Sequence, residues 1–163
     1  MKRKSSIFFS GGLLLMAGLV FTGCGGKDDP APENKKMTMK VTVTVAGADS
    51  QDQVDFSVEA GNHDASQYGS PVWKINGVTQ GNEDHILFDI DNFVGGTKTY
   101  VFETIKTFNF GHLNVSVVNN TEVPTPVIIS YKTEIDGNVE TNVANVATAS
   151  GQSYNKNYTY QPK

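Results

Sequence analysis

Apolar and polar residues alternate with period two over most of the chain from Met37 onward. Met37, Met39, Val41, Val43 and Val45 are interleaved with Thr38, Lys40, Thr42 and Thr44, which predicts a nine-residue strand with one face on a core. Val54, Phe56, Val58 and Ala60 alternate in the same way with Asp55, Ser57 and Glu59. Between these runs, Gly47, Asp49 and Ser50 predict a turn that joins them as an antiparallel hairpin. Further strands are expected at 72–76, 86–91, 99–105, 112–118, 127–135, 139–146 and 154–160. Asn76-Gly77 and Asp136-Gly137 are pairs that supply the two positive φ angles of a type I′ turn, so each should close a hairpin. Pro124-Thr125-Pro126 marks a crossover or a sheet edge, where missing amide donors do no harm. No segment keeps helical spacing of apolar residues for three turns.

Composition points the same way. After residue 23 there are 17 valines against two leucines, Leu87 and Leu113. Branched β-carbons suit a pleated, half-buried surface and lose rotamer freedom in a helix. The expected fold is all-β: a two-sheet antiparallel sandwich, immunoglobulin-like or Greek key, with a closed β-barrel as the alternative. Residues 37–163 are enough for one such domain. Tyr100 and Phe102 share one face of their strand while Val101 and Ile105 share the other, as in a strand buried on both sides. Phe108 and Phe110 are placed to plug the end of the core.

The start of the chain carries an address. Met1 to Lys4 is basic, and residues 7–21 form a 15-residue apolar stretch diluted by Ser10, Gly11, Gly12 and Gly18. That is short for a bilayer span, which takes ~20 apolar residues, and fits the apolar region of a signal peptide. Val20-Phe21-Thr22-Gly23-Cys24 follows, and resembles the lipobox of bacterial lipoproteins. The resemblance implies removal of residues 1–23 and a thioether-linked diacylglycerol on Cys24. It also implies an acyl chain such as palmitate on the new N-terminus, and attachment to a membrane through these lipids. Two or three chains suffice physically, because each buried methylene contributes ~0.8 kcal/mol whereas one myristoyl chain anchors only marginally. Next, Lys27, Asp28 and Asp29 resemble the export signal of surface-exposed lipoproteins of Bacteroidota; the alternative for them is a solvated linker. Residues 24–36, with Pro30 and Pro32 and no large apolar residue after Cys24, are expected to be a flexible tether. The layout resembles the small β-rich lipoproteins of that phylum, which implies an outer-membrane, cell-surface location.

Charge and cysteine count narrow the chemistry. Cleavage at Cys24 removes Lys2, Arg3 and Lys4, leaving ten lysines, no arginine, 17 acids and a net charge of −7. An acidic surface without a guanidinium fork argues against nucleic acid as a partner. A single cysteine excludes an intrachain disulfide framework and multi-cysteine metal sites. His63, His85 and His112 lack metal-ligand spacing and are expected as loop and strand-face residues. Asp89-Ile90-Asp91-Asn92 echoes a calcium loop, but an EF-hand would need glycine and glutamate where Val94 and Tyr100 stand. As strand residues, Asp89 and Asp91 would share the solvated face. No metal or other cofactor is therefore expected. Nucleophile elbows and phosphate loops are missing from the sequence, so the chain is not expected to be an enzyme.

Aromatic side chains are the remaining candidates for recognition. Trp73 is expected in the core of the sandwich, with sugar stacking as the alternative. Tyr154, Tyr158 and Tyr160 share one face of the last strand and are expected either to cap the core or to offer a binding platform. The leading expectation is a surface lipoprotein acting as a non-catalytic binding or accessory module for glycan or protein. The alternatives are a structural envelope component joined to a partner by strand addition, and an unrecognised hydrolase.

Overall fold

The structure is a computed structural model that describes residues 34–62, 64–120 and 125–163. These residues form ten strands and one short helix. The strands are β1 (Met39–Ala46), β2 (Gln53–Gly61), β3 (Trp73–Ile75), β4 (Val78–Thr79) and β5 (His85–Phe88). After the helix α1 (Ile90–Phe93) come β6 (Lys98–Thr104), β7 (Phe110–Val118), β8 (Val127–Ile135), β9 (Asn138–Thr148) and β10 (Ser153–Tyr160). One sheet has the order β4-β3-β6-β1-β8-β9 and the other β10-β7-β2-β5. Every pairing is antiparallel. The sheets are not closed into a barrel, and together they make the sandwich that the alternating pattern predicts.

Alternation becomes burial directly. Met39, Val41, Val43 and Val45 of β1 are buried, while Lys40, Thr42 and Thr44 between them face outward. Facing them, Val54, Phe56 and Val58 of β2 and Leu113, Val115 and Val117 of β7 complete the core. Aromatic rings lock the layers together: Phe56 meets Tyr131 of β8 with centroids 6.2 Å apart, and Phe88 meets Phe102 at 4.9 Å and Tyr100 at 4.6 Å, edge to face. Phe108 is buried and its backbone pairs with Met37, closing one end of the core. Phe110 lies over Gly61, its cross-strand partner, so closely that a Cβ there would come within 1.8 Å of the ring.

Both asparagine-glycine-type turns form as expected. Asn76 and Gly77 take φ of 49° and 80° and close β3–β4; Asp136 and Gly137 take 49° and 79° and close β8–β9. The Asp136 carboxylate also accepts from the Thr38 amide at 2.7 Å, tying this turn to the start of β1.

Two expectations are corrected. β1 and β2 are not a hairpin: β1 lies in the six-stranded sheet and β2 in the four-stranded one, so the chain crosses between layers after Ala46. Two strands facing each other across a core and two strands paired side by side demand the same period-two pattern. The crossing bend is held by side chains, Asp52 accepting from the Asp49 amide and Asp49 from the Gln51 amide. The expected strand at 86–91 ends at Phe88, and Asp89 caps α1 instead of continuing it. Asp89 accepts from the Asp91 amide and the Asn92 side chain accepts from the Asp89 amide, a reciprocal cap that turns the backbone out of the sheet.

Candidate functional site

The connections β2–β3, β4–β5 and β6–β7 meet at one end of the sandwich and enclose a hollow of about 260 Å³. Its apolar floor is Ala60, Val72 and Phe108, and its polar wall includes Gln67, Asn82 and Lys106. Tyr68, 69% exposed, stands beside it with most of its ring in solvent.

Local chemistry shapes this end. Asp64 caps the 3-10 turn Ala65–Gln67, accepting from the Ser66 amide at 3.0 Å and the Ser66 hydroxyl at 2.6 Å. Lys36 pairs with the same carboxylate at 3.2 Å. The Ser66 donors and this lysine hold the Asp64 carboxyl down at a pKa of about 2. Asn62 donates to Gln67 Oε1 at 2.6 Å, leaving the amino group of Gln67 turned free of protein partners among the described residues. On the other wall, the Asp84 carbonyl accepts from the Ala60 amide and from the Trp73 indole N–H, both at 3.0 Å. The chain reaches the domain at this same end, where Asn109 donates to the Lys35 carbonyl at 2.9 Å.

Residues singled out from the sequence fall elsewhere. Trp73 is wholly buried, as a core tryptophan of a sandwich. The C-terminal tyrosines form no outward platform: Tyr160 is buried, and Tyr154 and Tyr158 pack against the core. Their hydroxyls reach across to the opposite sheet, Tyr154 and Tyr158 each 2.8 Å from the Tyr131 hydroxyl, and Tyr160 donating to Thr133 at 3.0 Å. The row points inward because its alternate positions, Ser153, Asn155, Asn157 and Thr159, take the solvent side, while Lys156, on the tyrosine face, lays its ammonium 5.9 Å from the centre of the Tyr154 ring. Burial pushes the Tyr131 hydroxyl well above the usual tyrosine range and raises that of Tyr160 as well. Cys24, Lys27, Asp28 and Asp29 lie outside the described residues, as does His63.

The fold brings His85 and His112 to either side of Glu59, their register partner on both neighbouring strands. Even so, among the described residues no three histidine, cysteine, aspartate or glutamate side chains converge to hold a metal ion. Sequence reading did not find the hollow. Its walls come from segments around residues 67, 82 and 106, each of which alone looks like an ordinary polar loop.

No protein-family model and no curated protein matches the chain. Among solved structures, the chain is similar to a DUF4425 family protein from Bacteroides ovatus, at 17% identity and a TM-score of 0.54, over 77% of this chain and 95% of that one. A DUF4425 domain of unknown function from Bacteroides vulgatus matches at 16% identity and a TM-score of 0.51, over 78% and 96%. The calcium-bound form of a protein from Parabacteroides distasonis matches at 14% identity and a TM-score of 0.60, over 82% and 99%. At these identities the likeness is one of fold, found in proteins of Bacteroidota.

Proposed function

We propose that the chain is a lipid-anchored, non-catalytic binding module of the bacterial cell surface, and that the loop-end hollow receives its ligand, a glycan or a segment of protein. The observation that carries the anchoring is the run Val20-Phe21-Thr22-Gly23-Cys24 directly after a short apolar stretch. Fold neighbours from Bacteroides and Parabacteroides support the placing of the resemblance in Bacteroidota. For the ligand, the support is a concave site that mixes an apolar floor with unpaired polar groups, the usual composition of small-molecule pockets.

The test is made in the producing cells. Mass spectrometry of the mature protein should find residue 24 at the N-terminus carrying acyl chains, and Cys24→Ser should accumulate unprocessed and unlipidated. Alanine at Lys27, Asp28 and Asp29 together should keep the lipid but shield the domain from protease added to whole cells. A wild-type N-terminus without lipid overturns the anchoring, and equal digestion of wild type and triple variant overturns the surface location.

A second reading, strand addition, is favoured by β9, an 11-residue strand at the edge of its sheet. It is the weaker one because β9 is irregular. Its register with β8 shifts twice, and Asn145 takes a φ of 53°, features that bend an edge away from a partner strand. Calcium, present in the Parabacteroides protein, forms no part of the proposal. The sequence that echoes a calcium loop begins with Asp89, whose carboxylate is engaged as the cap of α1.

A further inference from the structure

The hollow has a definable chemical preference. Among the residues that line it, Gln67, Asn82, Lys106 and Asp84 carry an amino group, an amide, an ammonium and a carboxylate with no protein partner among the described residues. Amides both donate and accept, the ammonium only donates and the carboxylate only accepts. A ligand answering all four must itself carry several groups that donate and accept in turn, which is the property of a ring bearing neighbouring hydroxyls. Lys106 and Asp84 oppose each other in charge, so the lining favours neither an anion nor a cation. The floor of Ala60, Val72 and Phe108 and the exposed ring of Tyr68 add apolar surface, which suits the C–H face of a pyranose. A volume of about 260 Å³ is small for a drug-sized ligand, and commensurate with one sugar ring and part of a second.

We propose that the loop-end hollow binds a neutral sugar residue of an oligosaccharide, one face against Tyr68 and its hydroxyls among Gln67, Asn82, Lys106 and Asp84, a proposal that rests on the binding-module reading above. The walls are already fixed: Asp64 and Lys36 pin the turn that carries Gln67, and the Asp84 backbone is held by Ala60 and Trp73. The backbone of these two segments is therefore in place before binding, and the ordering that remains is that of side chains.

Trp73 makes the proposal measurable, because it is the only tryptophan in the chain and its indole N–H donates to the carbonyl of Asp84. The lipidated chain, in a detergent without a sugar head group, is titrated separately with maltotetraose, cellotetraose, mannotetraose and galactotetraose, with trigalacturonate as the anionic comparison. Calorimetry reads binding, and Trp73 emission reads its place. At least one neutral tetrasaccharide should bind and shift the emission, and Tyr68→Ala should weaken it at least tenfold with an unchanged melting temperature, since Tyr68 is largely exposed. Asn82→Ala should weaken it as well. The proposal is overturned if none of the four binds, if binding leaves Trp73 emission unmoved, if Tyr68→Ala binds as the wild type does, or if trigalacturonate binds more tightly. None of these outcomes touches the lipid on Cys24 or the protease accessibility of the domain, so failure here is separable from failure of the anchored-module reading.

Discussion

The hydroxyl of Tyr131 stands 2.8 Å from that of Tyr158 and joins β8 of one sheet to β10 of the other. Tyr154 makes the same contact from the other side. Tyr131→Phe leaves two partly buried hydroxyls without their shared partner, so it should cost about 1–3 kcal/mol of unfolding free energy in urea. Tyr154→Phe, which leaves the Tyr131–Tyr158 pair intact, should cost less.

The same network predicts alkaline sensitivity. Tyr131 and Tyr160 hold their protons in the folded state above the pH at which the unfolded chain releases them, because burial disfavours the phenolate. Above about pH 10 the folded state therefore binds more protons than the unfolded state, and stability falls as pH rises. Urea midpoints measured from pH 8 to 11 should be flat and then decline. The decline should be shallower in Tyr131→Phe.

On β1, neighbouring positions should behave oppositely. Val43 is fully buried between Tyr100 and Tyr131, whereas Thr42 faces outward beside Lys132. Val43→Asp buries an unpaired charge and should cost about 4 kcal/mol or more, in practice loss of the folded domain. Thr42→Asp should cost less than about 1 kcal/mol, and equal effects in thermal melts would contradict the assigned faces.

Gly61 is required by its neighbour. A methyl group there meets the Phe110 ring, so Gly61→Ala should destabilise by about 1–3 kcal/mol. Combined with Phe110→Ala, the glycine substitution should lose most of that cost, and a double-mutant cycle would report the difference as coupling.

Asp64 offers an acid-side counterpart. Its pKa of about 2 is set first by the Ser66 hydroxyl and amide and then by Lys36. Carboxyl titration by NMR should place it there, with Ser66→Ala and Lys36→Ala each raising it. Since the depressed pKa favours the ionised folded state, the contribution of Asp64 is present above the ordinary carboxylate pKa. It is lost as pH falls through 2, loosening the turn that carries Gln67.

Strands were legible where one face is dry and the other wet. β8 occupies residues Val127–Ile135, the span its alternation predicts, and the two type I′ turns form at the dipeptides that favour them. Sheet membership was not legible, because Val41 and Val54 obey the same rule whether they lie side by side or face to face. α1 escaped notice because four residues are too few for a helical period; its signal was the spacing of Asp89 and Asn92, which form the cap. Asn119 shows a similar limit. It is wholly buried, donating to the carbonyls of Thr125 and Thr148, yet in sequence it resembles any asparagine at the end of a strand. The hollow was hidden for a related reason: its polar groups come together only when three distant connections share one end of the sandwich.

The position of β1 bears on how the domain carries mechanical load. It is the first strand of the domain and also an interior one, flanked by β6 on one side and β8 on the other. A pull on the N-terminus runs lengthwise along β1 and loads both hydrogen-bond ladders in shear, many bonds at once. A first strand at a sheet edge, tugged sideways, would instead unzip one bond at a time. Were the domain anchored through its N-terminus, as proposed above, the load would fall first on a strand braced by a ladder on each side.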